Sequence, residues 1–258
     1  MGQRIIDLSI AIEAGLPSDP EIMIPKIDYV SHAQGADQME AFFPGLKKSQ
    51  LPGGLGWALE FVHLTTHSGT HLDAPFHYHP SMDQGAPALT IDQVPLDWCF
   101  RDGVLLDFST KADGERITAE DIERKLAEID YQLKPLDIVL VRTGADAYWG
   151  TAEYLVKGAG MTRESTLYLV ERGVKVVGID AWSWDRPLPF MAKEFQQNGD
   201  PSIIWEAHFA GIEKGYCHME KLANLDRIPQ PHGFKVACFP IKIKSASAGW
   251  TRPVAIVD

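Results

Sequence analysis

Residues 67–77 form the densest group of side chains in this sequence that can bind a metal or move a proton: His67, His71, Asp73 and His77. Two imidazoles and a carboxylate form a ligand set suited to Zn²⁺, Mn²⁺ or Fe²⁺. A further imidazole beside them can carry a proton, because imidazole titrates near neutral pH. The stretch therefore indicates a metal site with its own acid–base group.

The spacing of these side chains restricts the backbone between them. On a straight strand His67 and His71 would stand about 13 Å apart, whereas two ligands of one metal lie within about 4 Å of each other. A helix would place both on one face, but Gly69 and Pro75 disfavour a helix. If the two histidines share a metal, the chain must double back at residues 68–70 and turn again at residues 74–75.

The elements around this stretch are predicted from apolar periodicity. Helices are predicted by N-cap residues and apolar spacing. Strands and helices do not alternate strictly, so the expected fold is α/β with a mixed sheet. The predicted strands are 5–12, 58–66, 103–108, 137–142, 174–179 and 234–244, and the predicted helices are 118–129, 162–172 and 208–214.

Residues 13–58 show no sustained helical or strand period, and they are rich in Pro and Gly. Long segments of this kind are often binding loops. Phe42 and Trp57 argue against disorder, since disordered segments are poor in aromatics. We predict that 30–58 is a pocket-covering insertion, and that its aromatic residues either wall the pocket or cap the core.

The composition limits the classes of protein to which this chain can belong. A chain of 258 residues that is 45% hydrophobic can bury one core, so a single domain over 1–258 is expected. The net charge of −11 argues against a nucleic-acid partner. The three cysteines, Cys99, Cys217 and Cys238, are too dispersed for a disulfide framework or a thiolate zinc site. No signal peptide or membrane span is recognisable, so a cytoplasmic protein is expected.

The pattern His-x-Gly-Thr-His-x-Asp-x-Pro-x-His at residues 67–77 resembles the metal-dependent cyclase family, which includes bacterial kynurenine formamidases and isatin hydrolases. The likeness continues at Asp7-Leu8-Ser9, at 177–180, and at Trp205-Glu206-Ala207-His208 with Glu220 twelve residues after the histidine. It implies a compact β/β/α swivelling domain that forms a homodimer or a higher homo-oligomer.

The resemblance also implies roles for individual residues. His67, His71 and Asp73 would bind one divalent metal, Mn²⁺ or Zn²⁺, and His77 would be the catalytic acid–base residue. In two-metal members the counterparts of His208 and Glu220 hold a second ion that Asp73 helps to bridge. In single-metal members the His208 position contacts the substrate instead.

The expected activity is hydrolysis of a C–N bond in a small aromatic amide or lactam, as in isatin hydrolases, which convert isatin to isatinate. The candidate substrate-binding residues are His208, Trp57, Phe42 and Trp182. Residues 13–20 lack the Trp expected of kynurenine formamidases, and the aromatic stretch 181–185 is more like isatin hydrolases. Formylkynurenine hydrolysis, a lactone hydrolase or cyclase, and a non-catalytic metal-binding relative remain the alternatives.

Overall fold

Residues 2–258, described by a computed structural model, form fifteen β-strands and six α-helices joined by short 3-10 turns. The strands are β1 (Arg4–Asp7), β2 (Lys26–Val30), β3 (Leu59–His63), β4 (His71–Asp73), β5 (Ser81–Met82), β6 (Ala86–Pro87), β7 (Phe100–Asp107), β8 (Arg116–Ile117), β9 (Ile138–Arg142), β10 (Gly160–Met161), β11 (Val176–Ile179), β12 (Cys217–Glu220), β13 (Phe234–Ala237), β14 (Ala248–Trp250) and β15 (Val254–Val257). The helices are α1 (His32–Phe42), α2 (Pro75–Tyr78), α3 (Ala119–Glu128), α4 (Arg163–Glu171), α5 (Leu188–Asn198) and α6 (Glu206–Glu213).

Nine of the strands form one curled mixed sheet within the described residues, in the order β1-β15-β13-β7-β9-β11-β12-β4-β14. The centre, β7-β9-β11-β12, is parallel, and the strands on either side pair antiparallel. The predicted mixed α/β sheet is therefore confirmed. Parallel strands buried on both faces are near-continuous apolar runs, and β9 and β11 have this composition.

Both faces of the sheet are buried because side chains alternate along each strand. Val139 and Val141 of β9 point into a core shared with α3 and α4. Ile138 and Leu140 point into a second core with β13 and β15. α3 and α4 begin at the predicted caps Thr118 and Thr162, each closed by a capping box.

Residues 13–58 correct one prediction, because they contain β2 and α1, whereas β3 falls within the predicted strand 58–66. β2 and β3 pair in a separate two-stranded sheet. α1 buries only Gly35 and Ala36, so it has no apolar stripe for a periodicity argument to detect. The sequence feature that marks the start of α1 is polar, because Ser31 and Gln34 form a capping box.

Two predicted strands are shorter than expected. The first ends at Asp7, and the last ends at Ala237 instead of 244. Pro240 has no N–H to donate to a ladder, and the chain beyond it turns back towards β14. No helix within residues 2–258 combines the length and the apolar character that a membrane span requires.

Candidate metal and catalytic site

The site is built on β4, which lies between β12 and β14. The register of β4 with β12 places Asp73 opposite His218 and His71 opposite Glu220. Because successive side chains alternate, Leu72 enters the core while His71 and Asp73 emerge on the other face together with His218 and Glu220. Strand pairing therefore brings two residues from each strand to one cluster.

The two predicted turns are present on either side of β4. Gly69 has a φ of +64°, in the left-handed region that favours glycine. A Cβ there would approach Ile12 Cγ1 to 2.6 Å. The turn brings the His67 ring to within 5.0 Å of the His71 ring. Pro75 then opens α2, a common place for proline, and α2 carries His77.

His67, His71 and Asp73 converge as predicted. His67 Nδ1 lies 2.9 Å and His71 Nε2 lies 3.3 Å from Asp73 Oδ1. The second nitrogen of each ring contacts a residue outside this group. His71 Nδ1 lies 2.9 Å from the Gly69 carbonyl oxygen, and His67 Nε2 lies 3.1 Å from Ser247 Oγ.

Hydrogen bonding does not account for this convergence. Among the described residues, His71 Nε2 and both Asp73 carboxylate oxygens are buried without a hydrogen-bond partner. Buried polar atoms are normally satisfied, and exceptions call for an ion or another explanation. Nitrogen and carboxylate ligands suit a divalent first-row metal, so these residues fit the metal that the sequence implies.

Glu220 and His208 extend the same group of side chains. His208 Nε2 is 3.6 Å from Glu220 Oε1, and His71 Nε2 is 3.6 Å from Glu220 Oε2. The distal nitrogen of His208 is held by Asp185, whose Oδ2 lies 2.5 Å from Nδ1. Asp185 also accepts the N–H groups of Ala207 and His208, so it anchors the start of α6 and the ring together.

The sequence analysis did not single out His218. Its Nε2 lies 3.1 Å from Asp73 Oδ2 and 3.1 Å from Glu220 Oε1. The alternation of residue types could have indicated its position. His218 and Glu220 alternate with apolar Cys217 and Met219, which is typical of a strand with one polar face.

The charges of the cluster are strongly coupled. Burial raises the pKa of Asp73, but the surrounding His71, His77 and His67 outweigh it and hold the pKa well below its usual range. Burial opposes the charged form of His218, yet its contacts with Asp73 and Glu220 raise its pKa to about 9. Glu220 is likewise held ionised, with its pKa lowered.

His77 differs from the other histidines. Burial lowers its pKa to about 3, because desolvation disfavours the imidazolium. The attraction of Asp73 opposes this shift but does not overcome it. His77 Nε2 is 3.9 Å from Asp73 Oδ2, and its ring packs against His67 and Trp205 at centroid distances of 4.1 and 5.1 Å. His77 is therefore a neutral imidazole at the edge of the cluster.

A buried ion pair anchors the loop that carries His67. Lys221 Nζ pairs with Asp19 and donates to the His67 carbonyl at 3.0 Å. The Trp182 indole N–H also donates to Asp19, at 2.8 Å. The backbone carbonyl of Lys221 accepts the Thr70 hydroxyl at 2.6 Å. Residues on both sides of the Gly69 turn are thus tied to Lys221.

A cavity of about 410 Å³ opens onto the cluster. A larger surface depression of about 680 Å³ lies beside 83–85 and 212–214, away from the histidines, so we take the smaller cavity as the functional one. Its lining residues are Met23, His67, His77, Trp182, Ser183, Leu188, Ile204, Trp205, His208, Phe209 and Glu220.

The structure brings Trp182 and His208 to this cavity, but not Phe42 and Trp57, and residues 30–58 do not line it. Phe42 and Trp57 pack against each other edge to face, 5.7 Å apart, and Trp57 donates to Gln38 of α1. The cavity walls that the sequence analysis missed are Trp205 and Phe209. The Trp205 ring stacks on the His208 ring at a centroid distance of 4.2 Å. The backbone of Trp205 has a positive φ of 57°.

Comparison with known proteins agrees with this architecture. An isatin hydrolase bound to the product analogue thioisatinate is 20% identical, with a TM-score of 0.76 over 99% of this chain and 92% of that one. Isatin hydrolase A from Labrenzia aggregata, bound to benzyl benzoate, is 23% identical, with a TM-score of 0.75 over 99% and 94%. A structure described as a potential metal-dependent hydrolase with cyclase activity is 20% identical, with a TM-score of 0.65 over 99% and 98%.

These structural likenesses confirm the predicted fold. The family model described as "Putative cyclase" matches residues 6–186, well over half of the 258 residues. It spans the Asp7-Leu8-Ser9 segment and the histidine stretch. The chain therefore belongs to the cyclase family.

Proposed function

We propose that this protein is a metal-dependent hydrolase that opens the C–N bond of a small aromatic amide or lactam, with isatin to isatinate as the leading reaction. One observation carries the proposal: unpartnered buried histidine and aspartate atoms lie beside a cavity with aromatic walls. The fold shared with isatin hydrolases supports the choice of substrate.

In this proposal His67, His71 and Asp73 hold one divalent metal, Mn²⁺ or Zn²⁺. Such an ion polarises a carbonyl and lowers the pKa of water to about 7. The chain's own contribution is to fix the three ligands in place. Gly69 O and Ser247 Oγ orient the two imidazoles from behind, and partners of this kind set ring orientation and metal affinity.

His77 is the proposed general base and acid. Its ring lines the cavity, and its Nε2 lies 3.9 Å from Asp73 Oδ2, so His77 is placed to accept a proton from the attacking water. The water oxygen bonds to the carbonyl carbon, the C–N bond breaks, and His77 returns the proton to the leaving nitrogen. The reaction consumes one water and gives a carboxylic acid group and an amine group, and the acid then releases its proton to solvent. Positioned proton transfer of this kind contributes about 10²–10⁴-fold.

The cavity supports a flat, largely apolar substrate. Its volume of about 410 Å³ falls in the range typical of small-molecule sites. Trp182, Trp205 and Phe209 present aromatic surfaces, and aromatic rings favour stacked or edge-to-face contacts with another ring. His208 would contact the substrate directly only if no second metal binds.

We also propose that the protein is a homodimer or a higher homo-oligomer with no nucleic-acid partner. The cyclase-family resemblance carries the oligomer proposal, and β2, α1 and β3 expose the large apolar side chains Tyr29, Phe42 and Phe61. The net charge of −11 disfavours a phosphate backbone.

The test is an ultraviolet assay of the metal-loaded protein on isatin, N-formylkynurenine and an aryl lactone. We expect turnover of isatin. His77→Ala should retain the metal and lose about 10²-fold or more in kcat. The matched control is His79→Ala, since His79 contacts Ser81 at the end of α2 and does not line the cavity.

The alternatives give different outcomes. Preference for N-formylkynurenine or for the lactone would change the substrate class while keeping the metal and His77 in their roles. No turnover of any of the three by fully loaded protein would favour a non-catalytic metal-binding relative. Full activity in His77→Ala would refute the assignment of His77.

A further inference from the structure

Four buried side chains form a second group of candidate metal ligands. They are Asp73, His208, His218 and Glu220, and one ligand atom from each lies within 4.8 Å of the others. Three come from paired strands, and His208 comes from α6.

Three of the separations between the atoms are close to those of metal ligands. His218 Nε2 is 3.1 Å from Asp73 Oδ2 and 3.1 Å from Glu220 Oε1, and His208 Nε2 is 3.6 Å from Glu220 Oε1. Ligands of a tetrahedral zinc site, bonded at about 2.0–2.1 Å, lie about 3.3 Å apart. The observed spacings bracket that value.

Both imidazoles direct Nε2 inward because their other nitrogens are held from outside. Asp185 Oδ2 contacts His208 Nδ1, and the Tyr78 hydroxyl contacts His218 Nδ1 at 3.1 Å. The His218 ring is further held between Tyr78 and Trp184, stacked at 5.1 and 5.9 Å. Metal-bound histidines are typically oriented by such outer partners.

Hydrogen bonding explains only part of the contact pattern. His218 Nε2 has a hydrogen-bond geometry towards Glu220 Oε1. Its equally short contact to Asp73 Oδ2 lacks that geometry, and Asp73 Oδ2 is buried with no hydrogen-bond partner among the described residues. An unsatisfied buried carboxylate oxygen at the centre of the group points to a cation.

We propose that His218 is the fourth protein ligand of a second divalent-metal site, formed with Asp73, His208 and Glu220, and that this site is therefore closed. Four protein ligands fill a tetrahedral ion, as in structural zinc sites, whereas catalytic sites leave one position open. The set of His67, His71 and Asp73 supplies only three protein ligands, so an ion held there would keep an open position.

The inference rests on the proposed metal-dependent function and adds a division of labour to it. Asp73 would belong to both ligand sets. An ion held by four protein ligands would support Asp73 and the β4–β12 pairing, and an ion held by the three-residue set would supply the chemistry. The closed site should bind its ion more tightly and release it more slowly.

Metal stoichiometry of the folded, full-length protein tests this division. Wild type should retain about two equivalents of Zn²⁺ per chain after dialysis, and His218→Gln and His218→Phe about one. His67→Ala should also retain about one, but the tightly held one. The matched control is His63→Gln, an exposed histidine on β3, which should behave as wild type.

A second measurement does not depend on the variants folding. The first equivalent of Co²⁺ added to metal-free wild type should give the intense visible bands of a four-coordinate site. The second should give weaker bands and be removed first by a chelator. The tight equivalent should bind about 100-fold more weakly in either His218 variant.

The outcomes separate this inference from the proposed function. One equivalent in wild type, unchanged in the His218 variants but lost in His67→Ala, would overturn the closed site and leave the hydrolase proposal intact. A first Co²⁺ equivalent with only weak six-coordinate bands would also overturn it. Wild type that retains no metal and hydrolyses no substrate would instead refute the proposed function.

Discussion

Replacing Lys221 with Met should lower the free energy of unfolding by about 3–5 kcal/mol, because it leaves the Asp19 carboxylate buried without its cation. Both side chains are almost wholly buried, with exposed fractions of 1% for Lys221 and 3% for Asp19. They are 202 residues apart in the chain, so the pair forms only when residues 18–20 dock beside the Gly69 turn.

The magnitude follows from what the ammonium contacts. Lys221 Nζ pairs with Asp19 and donates to the His67 carbonyl at 3.0 Å. Methionine fills a similar volume but supplies neither contact. The carboxylate would keep only the Trp182 N–H, at 2.8 Å, and an unpaired buried charge is among the most costly defects in a protein. The His67 carbonyl would also lose its partner, so metal affinity should fall by about 10-fold.

Urea unfolding, followed by tryptophan fluorescence on metal-free protein, isolates the effect on stability. Asp19→Asn should also destabilise, because it leaves the ammonium unpaired. The double variant should lose at least about 2 kcal/mol less than the sum of the single variants, since no unpaired charge remains. The control is Arg163→Met: Arg163 and Glu213 are 44% and 48% exposed, and such pairs contribute about 1 kcal/mol or less.

Two results would refute this reasoning. A loss in Lys221→Met no larger than that in Arg163→Met would mean that burial adds nothing to the pair. Strict additivity of the Asp19 and Lys221 substitutions would mean that the two charges do not interact. A change in metal affinity without a change in stability would limit Lys221 to positioning His67.

Three further predictions concern charge and metal. Burial raises the pKa of Asp121, but hydrogen bonds from Thr118 and contacts with basic side chains lower it from 3.8 to about 2; the stabilisation is therefore complete above about pH 4 and lost as pH falls towards 2. Asp121→Asn should cost about 1 kcal/mol at pH 6 and progressively less below pH 4, and an equal loss at pH 3 and pH 6 would contradict this. Asp185→Asn should weaken metal binding by about 10–100-fold in a chelator competition, since Asp185 orients His208; unchanged affinity would count against that role. Metal removal should lower the unfolding temperature, by an amount equivalent to about 4 kcal/mol for an ion present at 1,000 times its Kd, and identical melting with and without metal would exclude an ion bound to the native state.

Local chemistry explains why one half of the site could be predicted from sequence. His67, His71 and Asp73 lie within seven residues, and Gly69 is the residue that permits the turn between them. Ligand distance and backbone reach together leave few arrangements for so short a segment. The caps Thr118 and Thr162 were predictable for the same reason, because a capping box is formed by residues three apart.

Periodicity failed where an element has little apolar surface to bury. α1 buries only Gly35 and Ala36 and was missed, although Ser31 and Gln34 carry its polar start signal. Phe42 and Trp57 were placed in the pocket because aromatic residues often line pockets, but in the structure they pack on each other instead. Phe42 remains largely exposed, so its residue type predicted neither burial nor location.

The sequence alone determined the family, the mixed α/β class, and the local group of His67, His71, Asp73 and His77. Tertiary structure decided everything that depends on strands distant in the chain. The register of β4 with β12 places His218 beside Asp73, 145 residues away in the sequence, and a shift of one residue would turn His218 to the other face. Pairing register and the docking of Lys221 onto Asp19 arise from packing over the whole domain, which no local pattern of residues encodes.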